Sequence, residues 1–180
     1  SRAYAIKQDG ANSLVTMRYA LKDFNVTAAE ASFESGGMAF PAGSWIIPDQ
    51  SGLKDKLSKA AADAMVDVYA LNEAPDVAAH DLDIPRLALY HNWTSTQPDG
   101  WVRYSLREAG VTFDYINDDD LRRGGLNARY DVIMMAHQGG FGNLKGMIHG
   151  RDTRFGPMPY EKTSEYGSHG VIDSSPDITG

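Results

Sequence analysis

An α/β fold, a parallel sheet flanked by helices, is what this sequence predicts, and three observations predict it. Residues 85–135 run apolar strand, helix, strand, connection, strand. That order suits parallel strands, which need helical crossovers between them. The first thirty residues repeat strand, helix and strand on a smaller scale. Between them, residues 53–65 carry the 3.6-residue periodicity of a helix lying on a sheet.

Taken in order, Tyr4–Gln8 reads as a short strand stopped at Asp9-Gly10, and Asn12 or Ser13 can cap the helix that follows. Leu14, Met17 and Leu21 sit at i, i+3 and i+7 on one face of that helix. Phe24, Val26 and Ala28 alternate with polar residues as in a half-buried strand. Ser35-Gly36-Gly37 breaks the chain, Phe40-Pro41-Ala42-Gly43 turns it, and Trp45-Ile46-Ile47 is an apolar run ended by Pro48. Leu53, Leu57, Ala60, Ala61, Ala64 and Met65 form one face of the next helix, with Lys54, Asp55, Lys56, Lys59 and Asp63 opposite. Its apolar face is rich in alanine and lacks the Trp and Phe of a membrane-surface helix, so it reads as core.

Val66–Leu71 alternates as a strand, and residues 73–84, acidic and containing Pro75, read as a linker. The expected organisation is a first α/β part over 1–72, this linker, and a second α/β part over 85–180, or one composite domain 1–180. In the second part Leu87–Tyr90, Val111–Ile116 and Tyr130–Met135 are the strands. Residues 101–109 form a helix with Val102, Leu106 and Ala109 inward and Arg103 and Arg107 outward. Asn117 and the acids after it cap a short helix, since acids suit the positive helix end. They lack the spacing and closing Glu of an EF-hand loop. From Gln138 the chain is rich in Gly and Pro with little periodicity, a loop region. The first residue is not Met and the last four look like the start of an unfinished helix, so a fragment truncated at its C-terminus is expected.

The formal charge is −7 with no run of Lys or Arg. Binding to nucleic acid or to an anionic membrane surface is therefore not expected. No apolar stretch approaches the ~20 residues that cross a bilayer. There is no cysteine, which removes disulfides, thiolate metal sites and a thiol nucleophile together. A cysteine-free chain suits a secreted or periplasmic protein.

Among the five histidines none begins a His-x-x-Glu or HExxH pattern, so no zinc site is expected. His91 and His137 stand apart because each follows an apolar strand. Ligands of open α/β sheets bind outside the carboxyl ends of the strands. A crevice formed by His91, Trp93, Asp99, Trp101 and His137 is the candidate ligand site, with no catalytic residue and no metal ligand assigned. Gly167-Ser168-His169-Gly170 has the wrong spacing for a nucleophile elbow, and residues 139–146 match neither the phosphate loop nor G-x-G-x-x-G. Asn25-Val26-Thr27 and Asn92-Trp93-Thr94 match the N-glycosylation pattern.

Pro85–Tyr90, Trp93, Asp99–Tyr104 and Tyr130–Met134, together with Tyr4-Ala5-Ile6, Asn12 and Phe40–Ser44, resemble one family region. It is the C-terminal, glutamine-amidotransferase-like part of large secreted bacterial zinc carboxypeptidases of the carboxypeptidase A-like family. The resemblance implies a flavodoxin-like, class I glutamine-amidotransferase-like three-layer sandwich. It also implies an upstream peptidase domain of the same polypeptide as partner, with zinc held there. The zinc-site His-x-x-Glu and the amidotransferase cysteine are both missing here. The expected function is therefore a non-catalytic accessory domain of a protein that hydrolyses C-terminal peptide bonds, with a peptide or glycan as possible ligand. Two rivals stand beside it: a stand-alone module for a small ligand, and an enzyme with a Ser or His centre at the strand ends.

Overall fold

The computed structural model describes residues 2–91 and 96–137. They divide into two compact units, the first comprising residues up to Ile84 with Ala109–Val111, the second beginning at Pro85.

The first unit contains β1 (Ala3–Ile6), α1 (Ser13–Ala20), β2 (Thr27–Ala29), β3 (Phe33–Ser35), β4 (Met38–Phe40), β5 (Trp45–Pro48), α2 (Leu53–Ala64), β6 (Tyr69–Leu71) and β7 (Ala79–Asp81). Five of its strands form one sheet in the order β6-β1-β5-β2-β7, and every pairing is antiparallel. This corrects the expected parallel, flavodoxin-like sandwich. Between β2 and β5 the chain turns back at Gly36-Gly37, both at positive φ (59° and 77°). They form a two-residue hairpin turn that pairs Ser35 with Met38 and Phe33 with Phe40. Two adjacent residues at positive φ are what a hairpin turn needs and what glycine supplies. The chain thus returns on itself, and β5 enters between β1 and β2 running against both. Residues 79–81, within the stretch read as a linker, pair with β2 and form the far edge of the sheet.

Side-chain alternation gives this sheet two apolar faces. Ile6, Trp45 and Ile47 pack on one face against Leu14, Met17 and Leu21 of α1 and its C-cap and against Leu53, Leu57, Ala60 and Ala64 of α2. Ala3, Ala5 and Leu71 lie on the other, under Phe40, with Phe33, Met38 and Tyr69 around them. Small residues on that face let the hairpin's aromatic rings settle close: Phe33 and Phe40 stack at 4.8 Å, and Tyr69 meets Phe40 edge-on at 5.4 Å.

The second unit contains β8 (Leu87–Tyr90), α3 (Thr96–Glu108), β9 (Asp114–Ile116), α4 (Asp118–Arg123), α5 (Leu126–Arg129) and β10 (Val132–Met135). Its sheet has the order β10-β8-β9, and here both pairings are parallel. The parallel character inferred from residues 85–135 therefore holds for these three strands and not for the chain. Leu87–Tyr90 is buried throughout, as a central parallel strand requires. One face carries Ala88, Tyr90 and Ile116, packed with Tyr130, Leu121 and Leu126. Asn117 and Asp120 cap α4 reciprocally: the backbone N–H of each donates to the other's side chain, at 3.1 and 3.4 Å.

A clamp sets the amino ends of β8 and β10. The Arg86 guanidinium donates to both carboxylate oxygens of Asp131, at 3.0 and 2.7 Å, and to the Ala128 carbonyl at 2.7 Å. The Arg86 backbone N–H adds a third bond to Asp131, at 2.7 Å. These bonds hold the Asp131 carboxyl down at about 2, the side-chain pair being the larger cause. With the amino ends fixed, the carboxyl ends of the strands fall together at the opposite edge of the sheet.

Candidate ligand-binding site

At that carboxyl edge, β8 delivers His91. Its backbone N–H donates to the Ile116 carbonyl at 3.0 Å, which extends the ladder one residue past the strand. Leu89 is paired with Tyr115 in register. Because side chains alternate, His91 emerges two residues later on the same face as Tyr115. The two rings stack in parallel, with centroids 3.9 Å apart and planes within 5°.

Helix α3 lies over this face. It starts at Thr96, earlier than the expected residue 101, and accommodates Pro98 in its first turn, where a missing N–H costs no helical bond. Asp99 is 4% exposed, and its Oδ2 accepts a hydrogen bond from the Tyr115 hydroxyl. Its Oδ1 is buried and has no hydrogen-bond partner among the described residues. One turn on, the Arg103 guanidinium sits 5.0 Å from the Tyr115 ring centroid, within cation–π range.

Tyr115 is thus the common element: its ring touches His91 and Arg103 and its hydroxyl holds Asp99. Its pKa is raised, first by burial, then by the hydrogen bond to Asp99 and that residue's charge, with Arg103 and Arg107 pulling the other way. The phenol therefore stays a neutral hydrogen-bond donor through the physiological range. Its one proton is engaged by Asp99, and this suits a positioning role better than proton abstraction, which needs a group poised near neutral pH.

Of the expected site residues, His91 and Asp99 are brought together, through Tyr115. Trp101 is not with them: it is 65% exposed and meets Tyr104 edge-on at 6.3 Å. Each helical residue turns by about 100°, so two residues beyond buried Asp99 lies the opposite side of α3. Arg103, four residues on, comes back to the inner side, although an outward position was expected. His137 follows β10 and is exposed. Trp93 lies outside the described residues, as do Gly139 and Gly140 of the expected turn after His137 and the region 138–180. Tyr115 and Arg103 are the residues that sequence reasoning missed. Pairing β9 in register with β8 would have found Tyr115, but register is not written in either strand alone.

Among the described residues no three side chains of His, Cys, Asp or Glu are grouped to hold a metal ion. No helix among them is long and apolar enough to cross a membrane. No family model, no curated protein and no solved structure matches this chain.

Proposed function

We propose that this chain is a non-catalytic binding module of a larger secreted, zinc carboxypeptidase-like protein. In this reading, zinc and the hydrolysis of C-terminal peptide bonds belong to a peptidase domain elsewhere in the polypeptide, and this module holds a peptide or a glycan. The observation that carries it is the Asp99–Tyr115 pair beside His91 and Arg103, at the carboxyl edge of the parallel sheet. That edge is where open α/β sheets receive ligands. The Tyr115 hydroxyl is spent on Asp99, which is itself buried, so the group the cluster presents is the Arg103 guanidinium, held over the Tyr115 ring. A guanidinium so placed holds carboxylates and hydroxyls by charge-assisted hydrogen bonds. The resemblance of residues 85–134, with Tyr4–Ile6, Asn12 and Phe40–Ser44, to the accessory region of such peptidases supplies the larger protein. β10 is consistent with it: Val132, Ile133 and Met135 are each more than two-fifths exposed, so the strand presents apolar side chains to solvent on both faces of the sheet. Strands in parallel sheets are ordinarily covered on both faces.

Calorimetric titration of the full chain with short peptides and with neutral oligosaccharides tests the reading. At least one class is expected to bind, and Arg103→Ala is expected to weaken that binding by roughly ten-fold, about one charge-assisted hydrogen bond. The absence of any peptide or oligosaccharide binding that Arg103→Ala weakens, stabilisation only by nucleotides or other small metabolites, or a tight stoichiometric zinc site in this chain would overturn it.

A further inference from the structure

A cavity of about 470 Å³ lies in the first unit, far in sequence from the cluster around Tyr115. One wall is the six consecutive residues Val68 to Glu73; the other is the β3–β4 hairpin, at Ser35, Gly36, Met38 and Phe40. In a strand, neighbouring side chains point to opposite faces. A cavity that touches every residue of a strand in succession therefore runs along its edge. Among the described residues β6 is the terminal strand of the five-stranded sheet and pairs only with β1, so this is the edge where its backbone groups have no ladder partner among them.

The two edges of the sheet differ. β7 reads Ala79-His80-Asp81, all exposed, with His80 beside Glu30 at 3.5 Å. Charge on a terminal strand is a usual guard against a further strand. β6 reads Tyr69-Ala70-Leu71 and carries no charge. Beside it, the Lys7 ammonium lies 5.5 Å from the ring centroids of both Phe40 and Tyr69, two rings that line the cavity. Lys7 has no carboxylate partner among the described residues, in a chain of net charge −7.

We infer that the β6 edge is a docking site for an extended peptide, added to the sheet as a sixth strand. Backbone hydrogen bonds to residues 69–71 supply the affinity. An apolar side chain enters the cavity beside Met38 of the hairpin, and an acidic residue of the peptide meets Lys7. This is the strand-addition mode of peptide recognition, with side-chain pockets at alternate positions giving the selectivity. The site is separate from the Tyr115 cluster and stands or falls independently of it.

The probe is an acetylated, amidated hexapeptide alternating valine with threonine and glutamate, titrated into the ¹⁵N-labelled full chain. The expected result is amide shift changes at residues 69–71 and around Gly36, with residues 91 and 115 unmoved. Ala70→Arg, a charge at an exposed edge position, is expected to weaken binding by roughly ten-fold, and Lys7→Ala to remove the preference for the glutamate. Shift mapping on the unaltered chain decides the case even if Ala70→Arg fails to fold. No shift changes at 69–71, or binding that ignores Ala70→Arg, overturns the inference. So does concentration-dependent dimerisation through this edge, with a second copy as occupant in place of the peptide.

Discussion

Removing the Tyr115 hydroxyl leaves the buried Asp99 carboxylate without its one described hydrogen bond. Tyr115→Phe should therefore lower stability by about 1–3 kcal/mol in urea unfolding. Tyr115→Phe combined with Asp99→Leu should recover much of that loss, because replacing both partners removes the unpaired group. A double variant no better than the single one would mean that the pair is incidental. The sign of the pH effect follows from the raised pKa. A tyrosine whose folded-state pKa lies above the ordinary 10.0 contributes stability that is full below that value and lost as pH rises past it. Asp131 has the opposite sign. Its carboxyl is held at about 2 against an ordinary 3.8, so the Arg86–Asp131 contribution is present above 3.8 and lost as pH falls toward 2. Asp131→Asn should make the acid limb of a stability-against-pH curve shallower in that window. An unchanged limb would deny the clamp its role. At this scale the sequence told which residues sit near a strand end, His91 among them. It did not tell which ones converge, because Tyr115 and Arg103 reach the site through register and helix phase.

Elements were more legible than their partners. The helix over residues 53–64 announces itself by an apolar face at 3.6-residue spacing, and Leu87–Tyr90 by an unbroken apolar run bounded by Pro85. Hydrophobic period marks that a strand exists and which side chains share its face. It leaves open whether the neighbour runs parallel or antiparallel, and in the first unit every strand of the five-stranded sheet runs against its neighbours. Gly36-Gly37 reads as a chain break in sequence because the flanking strands are only three residues each. α2 ends on Met65 at φ 53°, a left-handed cap that glycine usually fills, with the side chain 92% exposed. Met65→Gly should relieve the left-handed strain, less the extra freedom that glycine gives the unfolded chain. The expected net gain is about 0.5–1 kcal/mol by thermal unfolding. A net loss would show that Met65 makes a contact outweighing its strained backbone.

At the scale of the molecule, the described residues carry two main sheets of opposite character besides the β3–β4 hairpin: an antiparallel one covered on one face by α1 and α2, and a parallel one with α3 on one face and α4 and α5 on the other. Each has its own apolar core, so each is expected to answer separately to core truncation. Ile47→Ala should cost about 2–5 kcal/mol in the first unit, read by the fluorescence of buried Trp45, while amide exchange of Leu87–Tyr90 stays unchanged. Equal loss in both would mean one cooperative unit. The strand–helix–strand order expected in the first thirty residues is present as β1, α1 and β2, but β5 lies between those strands and runs against both, so the parallel class does not extend to that sheet. The functional reading rests on the cluster at the parallel sheet and on the family resemblance, and the flavodoxin-like sandwich which that resemblance implied is the part the antiparallel sheet overturns. Its most direct test is an amide shift map of the ¹⁵N-labelled full chain with the peptide or oligosaccharide that binds in calorimetry. The account expects the largest changes at His91, Arg103 and Tyr115, with Tyr115→Phe reducing affinity. If neither a peptide nor an oligosaccharide moves these three residues, the account is contradicted.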